Sequence, residues 1–381
     1  MTNMKLTFDA VTEATPGPKW AARWARSWPA YEAWFVARGG DAGPSRADCR
    51  AALKHHMPEL IPTYDKLVDI AGGSDRAARF LSTWCPPSYL GGCSLAAVAD
   101  RHDVRLVRNY DLSPELNEGL LLRTEWTGRP VMGMVEFLWG LSDGINDAGL
   151  SVALAYGGRS ETGTGFGITT ILRYVLETCE TVDAALAALK RIPSHMAYNV
   201  VLADAAGRTA SVELAPGGGA TIMPQAIATN HQSKGRAAER PGFTRTVERL
   251  AHLKGLQAGP RDLGHHFDKE PLRQVRYSQG FGTLFTAEYD PTLRSLLLSM
   301  NGKRWHQTID GFQEGRHTAD YSHTSVSDAT VSMPIGIESR DDWSQAAMID
   351  WSRLAMDYAA GRGQEISAYL PDTLASRSEA A

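Results

Sequence analysis

Hydrophobic spacing changes character along this chain. Trp20, Trp24 and Trp28 recur at every fourth position, which puts them on one helix face. Pro29 and Gly39-Gly40 punctuate that stretch, and a second helical run is predicted over residues 45–71, stopped by Gly72-Gly73. The tryptophan stripe reads as the core-facing side of an amphipathic helix, in preference to an aromatic binding wall. A helical segment over residues 1–92 follows. At Pro86-Pro87 and Gly91-Gly92 helix formation ends and a two-residue period takes over. Residues 94–99 and 104–109 flank Asp100-Arg101-His102-Asp103 as a hairpin. Residues 119–126 and 131–138 make a second around Thr127-Gly128-Arg129-Pro130, and a strand at 150–156 follows the turn ending at Gly149.

The helical period returns in Ile168, Ile171, Leu172, Val175, Leu176 and Cys179, a full apolar stripe. Thr181 caps a following helix that stops before Pro193. Strands are predicted again at 199–204 and 208–214, then at 282–288 and 294–300 with Pro291 in the turn, and a late helix at 341–360. Hairpins, helices and hairpins in this order predict an α+β layered fold, whose sheets bury one face on each other and one on helices.

Composition narrows the function. The 381 residues are 43% hydrophobic and 22% charged, as in an ordinary soluble protein. With 39 Lys+Arg against 43 Asp+Glu, the cationic excess of a nucleic-acid-binding surface is missing. The start MTNMKLTFDAVTEATPG does not read as a secretory signal, and no apolar run is long enough for a membrane span. Cys49, Cys85, Cys93 and Cys179 form no CxxC pair, and no HExxH cluster accompanies the histidines, so neither metal nor cofactor is expected. These features suit a cytoplasmic, reduced, soluble enzyme or binding protein.

Cys93 carries the most chemistry. Gly91-Gly92 before it leave the upstream carbonyl open and permit strained backbone angles. Its thiol could attack the Gly92 carbonyl, move the acyl group from nitrogen to sulfur, and let water cut the chain. The new α-amine would titrate at about 7.7–8.0, close to what a general base requires.

The ordered segments GGCSLAA, VRNYD, SDGINDAGLSVALAY, NVVLADAAGRTASVEL and ATNH, spread between Gly91 and Asp290, resemble the N-terminal-nucleophile cysteine hydrolases. The nearest group is that of isopenicillin N acyltransferase; bile salt hydrolases and penicillin V acylases are more distant. The resemblance implies a four-layer αββα sandwich preceded by a helical pro-segment. It implies processing at Gly92–Cys93 into residues 1–92 and 93–381 that stay associated. It implies Cys93 as nucleophile, Arg108 favouring its thiolate, Asp111 accepting from its amine, and Asn230 as oxyanion donor. Tyr156 would give a second donor through its backbone N–H and line the acyl pocket. A distal arginine is expected, with Arg276 first and Arg273 second. The implied activity is attack on a linear amide or acyl donor through a Cys93 thioester, resolved by water or by an amine acceptor. A homo-oligomer is compatible with all of this.

Other motifs are read more simply. His231 is given a structural role beside Asn230, and the pairs His55-His56 and His265-His266 are not read as chelates. Gly163-Thr164-Gly165-Phe166-Gly167 reads as a flexible loop near the substrate pocket, in preference to a plain connector. Two alternatives stand beside the enzyme. A non-catalytic binding protein would keep the sandwich without processing, and a papain-like enzyme would begin a helix at Cys93.

Overall fold

A computed structural model describes residues 4–89, 92–235 and 238–322. The late helix expected at 341–360 lies outside the described residues.

The chain opens with a strand, β1 (Lys5–Glu13). Four helices follow: α1 (Pro18–Ala37), α2 (Arg46–His56), α3 (Ile61–Ile70) and α4 (Asp75–Ser82). Then come β2 (Gly92–Ala99), β3 (Val104–Leu112), β4 (Leu120–Thr124), β5 (Val131–Glu136), β6 (Gly140–Asn146) and β7 (Ser151–Tyr156). Helices α5 (Ile168–Thr178) and α6 (Val182–Arg191) lead to β8 (Tyr198–Ala203), β9 (Thr209–Leu214), β10 (Ala220–Ile222) and β11 (Ile227–Ala228). Short helices α7 (Pro241–Thr244), α8 (Thr246–Gly255) and α9 (Leu263–Phe267) precede β12 (Val275–Arg276), β13 (Phe281–Asp290), β14 (Ser295–Met300), β15 (Lys303–Thr308) and β16 (Gly315–Asp320).

Among the described residues these strands build two sheets. The larger runs β10-β9-β8-β7-β6-β5-β4-β1-β16; the smaller runs β11-β2-β3-β13-β14-β15, with β12 on β13. One core, with Leu95, Leu106, Met134 and Leu298, fills the gap between the sheets. A second packs α1 to α6 on the outer face of the large sheet, and a third, with Leu253 and Phe267, packs α8 and α9 on the outer face of the small one. Helix, sheet, sheet and helix are thus stacked, the four-layer αββα sandwich expected.

The N-terminal segment departs from expectation, because it is not all helix. β1 alternates Leu6, Phe8 and Ala10 inward, and it lies inside the large sheet, parallel to β4 and antiparallel to β16. The helical run over 45–71 is also broken: Pro58 stops α2, and Pro62 restarts the chain as α3 in its first turn. The tryptophans behave as a core stripe. Trp20 and Trp24 are buried, the rings stack at 5.3 and 4.4 Å, and Trp28 meets Phe80 of α4. Thr181 caps α6 as read, accepting from the Ala184 N–H at 3.3 Å. The strand β6, GLSDGIN, escaped the pattern because glycine and polar residues interrupt its period.

Candidate active site

The β2–β3 hairpin organises the site by alternation. Cys93 pairs with Tyr110 and Gly92 with Asp111 across the ladder. Cys93 and Tyr110 belong to the core between the sheets. On β3 the motif Arg-Asn-Tyr-Asp sends Arg108 to that inner side and Asp111 to the outer one, toward the layer of α8 and α9. Arg108 and Asp111 therefore do not share a face, although the sequence motif sets them side by side.

On the inner face, Arg108 Nη2 donates to Cys93 Sγ at 3.1 Å, and the guanidinium stacks over the Tyr110 ring at 4.6 Å. Arg108 Nη1 reaches Ser142 Oγ at 2.7 Å and forms a fully buried ion pair with Asp143, whose other oxygen accepts from the Tyr289 hydroxyl. On the outer face, Thr283 Oγ1 donates to Asp111 Oδ1 at 2.6 Å. Burial pushes the Asp111 carboxyl above the usual range, with Arg249 and Thr283 pulling it back.

The backbone N–H of Cys93 goes to Asn230 Oδ1 at 3.0 Å, not to Asp111. Asn230 follows β11, which pairs with β2 and so carries it beside the hairpin. Its Nδ2 donates to the Tyr156 carbonyl at 3.0 Å. Tyr156 thus meets the site through its main chain. Its ring faces away, in the helix-side core against Tyr198 at 6.1 Å, because successive β7 side chains alternate faces. The ring therefore stands on the opposite face of β7 from the core that holds Cys93.

Arg276 stacks over Phe243 and Phe281 at 4.7 and 5.5 Å and donates to the Phe243 carbonyl. Phe281 in turn closes over Gly92: a Cβ there would stand 2.3 Å from its ring and 2.9 Å from the Asp111 carbonyl, so only glycine fits. Arg273 is elsewhere, bonded to Asn301 at 2.8 Å.

Sequence reasoning missed Arg249, whose side chain is fully buried. From α8 its Nη1 donates to the Cys93 carbonyl at 2.6 Å and to Ser94 Oγ at 2.8 Å, and lies 3.4 Å from Asp111 Oδ2. Its Nη2 donates to Asn230 Oδ1 at 2.7 Å. The available signal was its helical register: Thr246, Arg249 and Leu253 form the buried stripe of α8, where an arginine is out of place unless paired.

The thiol is 1% exposed, and burial pushes it up to about 11 against the downward pull of Arg108. His231 bonds Thr246 Oγ1 at 2.9 Å through Nδ1, away from the thiol. The glycine-rich segment at 163–167 is a tight connector, correcting the flexible-loop expectation. Gly163 packs on the Gly217 backbone, Gly165 on Ser194, and Phe166 is fully buried. No group of His, Cys, Asp and Glu among the described residues is arranged to hold a metal ion. Cys93 opens a strand rather than a helix, which removes the papain-like alternative.

The profile of the acyl-coenzyme A:6-aminopenicillanic acid acyl-transferase family matches residues 99–305, more than half of the chain. The chain belongs to this family. No curated protein matches the sequence. Similar solved structures include three enzymes. A conjugated bile acid hydrolase mutant from Clostridium perfringens has 14% identity and a TM-score of 0.37, covering 59% of this chain and 96% of its own. Penicillin V acylase from Agrobacterium tumefaciens has 15% identity and a TM-score of 0.39, covering 56% and 84%. A Caenorhabditis elegans N-acylethanolamine-hydrolyzing acid amidase ortholog has 16% identity and a TM-score of 0.41, covering 59% and 98%. Within the acyltransferase family, the chain's described helices include none long and apolar enough to cross a membrane.

Proposed function

We propose that the chain cuts itself between Gly92 and Cys93 and then acts as a cysteine amidohydrolase or acyltransferase on a linear amide or acyl donor. The observation that carries this reading is that every polar atom of Cys93 has a dedicated partner: Sγ has Arg108, N–H has Asn230 and C=O has Arg249. Any buried backbone N–H and C=O needs a partner, but here side chains from the segment after β11 and from α8 supply them, and the sulfur holds a cation that packing alone does not call for.

In the first reaction the thiol gives up its proton and sulfur attacks the Gly92 carbonyl. The C–N bond breaks, the Cys93 nitrogen gains a proton, and a Gly92 thioester remains. Water hydrolyses it to a Gly92 carboxylate and a free thiol, so one water is consumed. Gly92 can then leave from beneath Phe281, opening a path to Sγ. In turnover the α-amine takes the thiol proton, sulfur attacks the substrate carbonyl, and the amine returns the proton to the leaving group. Asn230 Nδ2 would turn from the Tyr156 carbonyl to the developing oxyanion. Water then resolves the thioester in hydrolysis. The family description favours a second outcome, in which an amine acceptor resolves it and an acyl-coenzyme A can donate.

Mass spectrometry and N-terminal sequencing test the first step: a fragment beginning Cys-Ser-Leu-Ala-Ala is expected, and an uncut chain that turns over amides would refute it. A panel of linear amides and acyl-coenzyme A donors, with and without amine acceptors, then separates hydrolysis from transfer. Binding of these compounds without turnover by a chain that stays uncut would favour the non-catalytic alternative.

A further inference from the structure

We infer that Arg249 keeps the new Cys93 α-amine unprotonated after the cut, so that its lone pair is free to take the thiol proton. The inference rests on the N-terminal-nucleophile reading above and adds a residue to it. Arg249 is a positioning and tuning residue, since it acts on the reacting amine through its neighbours.

The argument starts from one oxygen. Asn230 Oδ1 accepts from the Cys93 nitrogen at 3.0 Å and from Arg249 Nη2 at 2.7 Å. A carbonyl oxygen has two lone-pair directions, so both are occupied. Arg249 Nη1 approaches the same residue from the other side, 2.6 Å from the Cys93 carbonyl. The guanidinium thereby brackets the nitrogen, and Nε, on the Thr244 carbonyl at 2.9 Å, fixes it in place. Cleavage turns that nitrogen from a neutral amide into a group that can carry a charge. An ammonium there would form beside a buried cation, and a nearby like charge favours the neutral amine.

The other charged groups leave that balance in place. On β3, Asp111 faces Arg249 at 3.4 Å, and Arg108 contacts Sγ. On β6, Asp143 is committed to Arg108 and Tyr289. On β5, Glu136 is hydrogen-bonded to Tyr110, and burial pushes its carboxyl up to about 7. On β12, Arg276 stacks over Phe281. Burial pushes the Asp111 and Glu136 carboxyls upward, and two guanidiniums, those of Arg108 and Arg249, touch Cys93. The proton bookkeeping closes: S–H plus neutral amine becomes thiolate plus ammonium, and the ammonium proton passes to the amine that leaves the substrate.

The test uses cleaved enzyme. With nitrogen-15-labelled cysteine, the Cys93 amine of the wild type should titrate below the ordinary range of about 7.7–8.0. Arg249→Gln should move the acid limb of the kcat/KM profile upward by about one pH unit. Arg249→Lys, which keeps a charge but not the fork, should lower kcat and leave the limb near its wild-type position. A wild-type amine titrating within or above the ordinary range overturns the inference, and that measurement stands even where the glutamine variant does not fold. An unmoved limb in cleaved, folded Arg249→Gln overturns it as well. Active enzyme that is never cut before Cys93 strikes the underlying reading instead.

Discussion

Two buried arginines use their hydrogen bonds in opposite ways. Arg173 of α5 is sealed in the helix-side core. It pairs with Glu177 one turn along the same helix, stacks over Trp126 at 4.6 Å and donates to the Trp139 carbonyl. Its Nη2 and one Glu177 oxygen have no hydrogen-bond partner among the described residues. Arg249 is equally buried, yet all three of its nitrogens are engaged, and they draw together β2, β3, the segment after β11 and the end of α7. Arg173 ties scaffold to scaffold. Arg249 ties scaffold to the residue proposed to react and to Asn230 beside it. Burial of a cation alone therefore does not mark a site; contact with the residue proposed to react does.

That contrast can be broken in order of effect. Cys93→Ala should abolish both self-cleavage and turnover, with an intact chain in the mass spectrum; residual amide turnover would move the chemistry elsewhere. Arg173→Met should cost about 3–5 kcal/mol in denaturant unfolding, because Glu177 is left buried and unpaired, while kcat of the folded fraction stays unchanged. A fall in kcat at normal stability would erase the distinction between the two arginines. Asn230→Ala should lower kcat by about 10²–10³ once a donor to the oxyanion is lost. Self-cleavage of freshly refolded chain should speed up with rising pH, since the thiol titrates at about 11 and its thiolate grows throughout the range below. A rate indifferent to pH between neutrality and mild alkali would show that thiol ionisation is not limiting. His231→Ala should have the smallest effect and leave the pH profile in place, because its ring is bonded to Thr246.

Much of this arrangement was legible in the chain. Strong periods marked α5 and the hairpin of β2 and β3, and the resemblance of RNYD and ATNH to the cysteine hydrolases named Arg108 and Asn230, both of which contact Cys93. The failures share a cause: information that lies across the fold and not along it. Arg108 and Asp111 are close in sequence, yet strand alternation sends their side chains to opposite faces. Tyr156 was placed correctly on a strand, but the face of its ring depends on which sheet covers it. Arg249 comes from a separate helix and meets Cys93 only through tertiary packing. Leu6, Phe8 and Ala10 did carry the two-residue period of β1, and the tryptophan stripe beside them drew the reading toward helix.

The position of β1 bears on how the protein can be made. Because β16 joins the large sheet through β1, the leading ninety-odd residues supply an interior plank that the remainder lacks. A gene trimmed to start at Cys93 would have the right first amino acid and an unzipped sheet. Co-expression of both pieces, or maturation from one polypeptide, is the practical route, and the nicked product should migrate as a single particle until denaturant separates its halves.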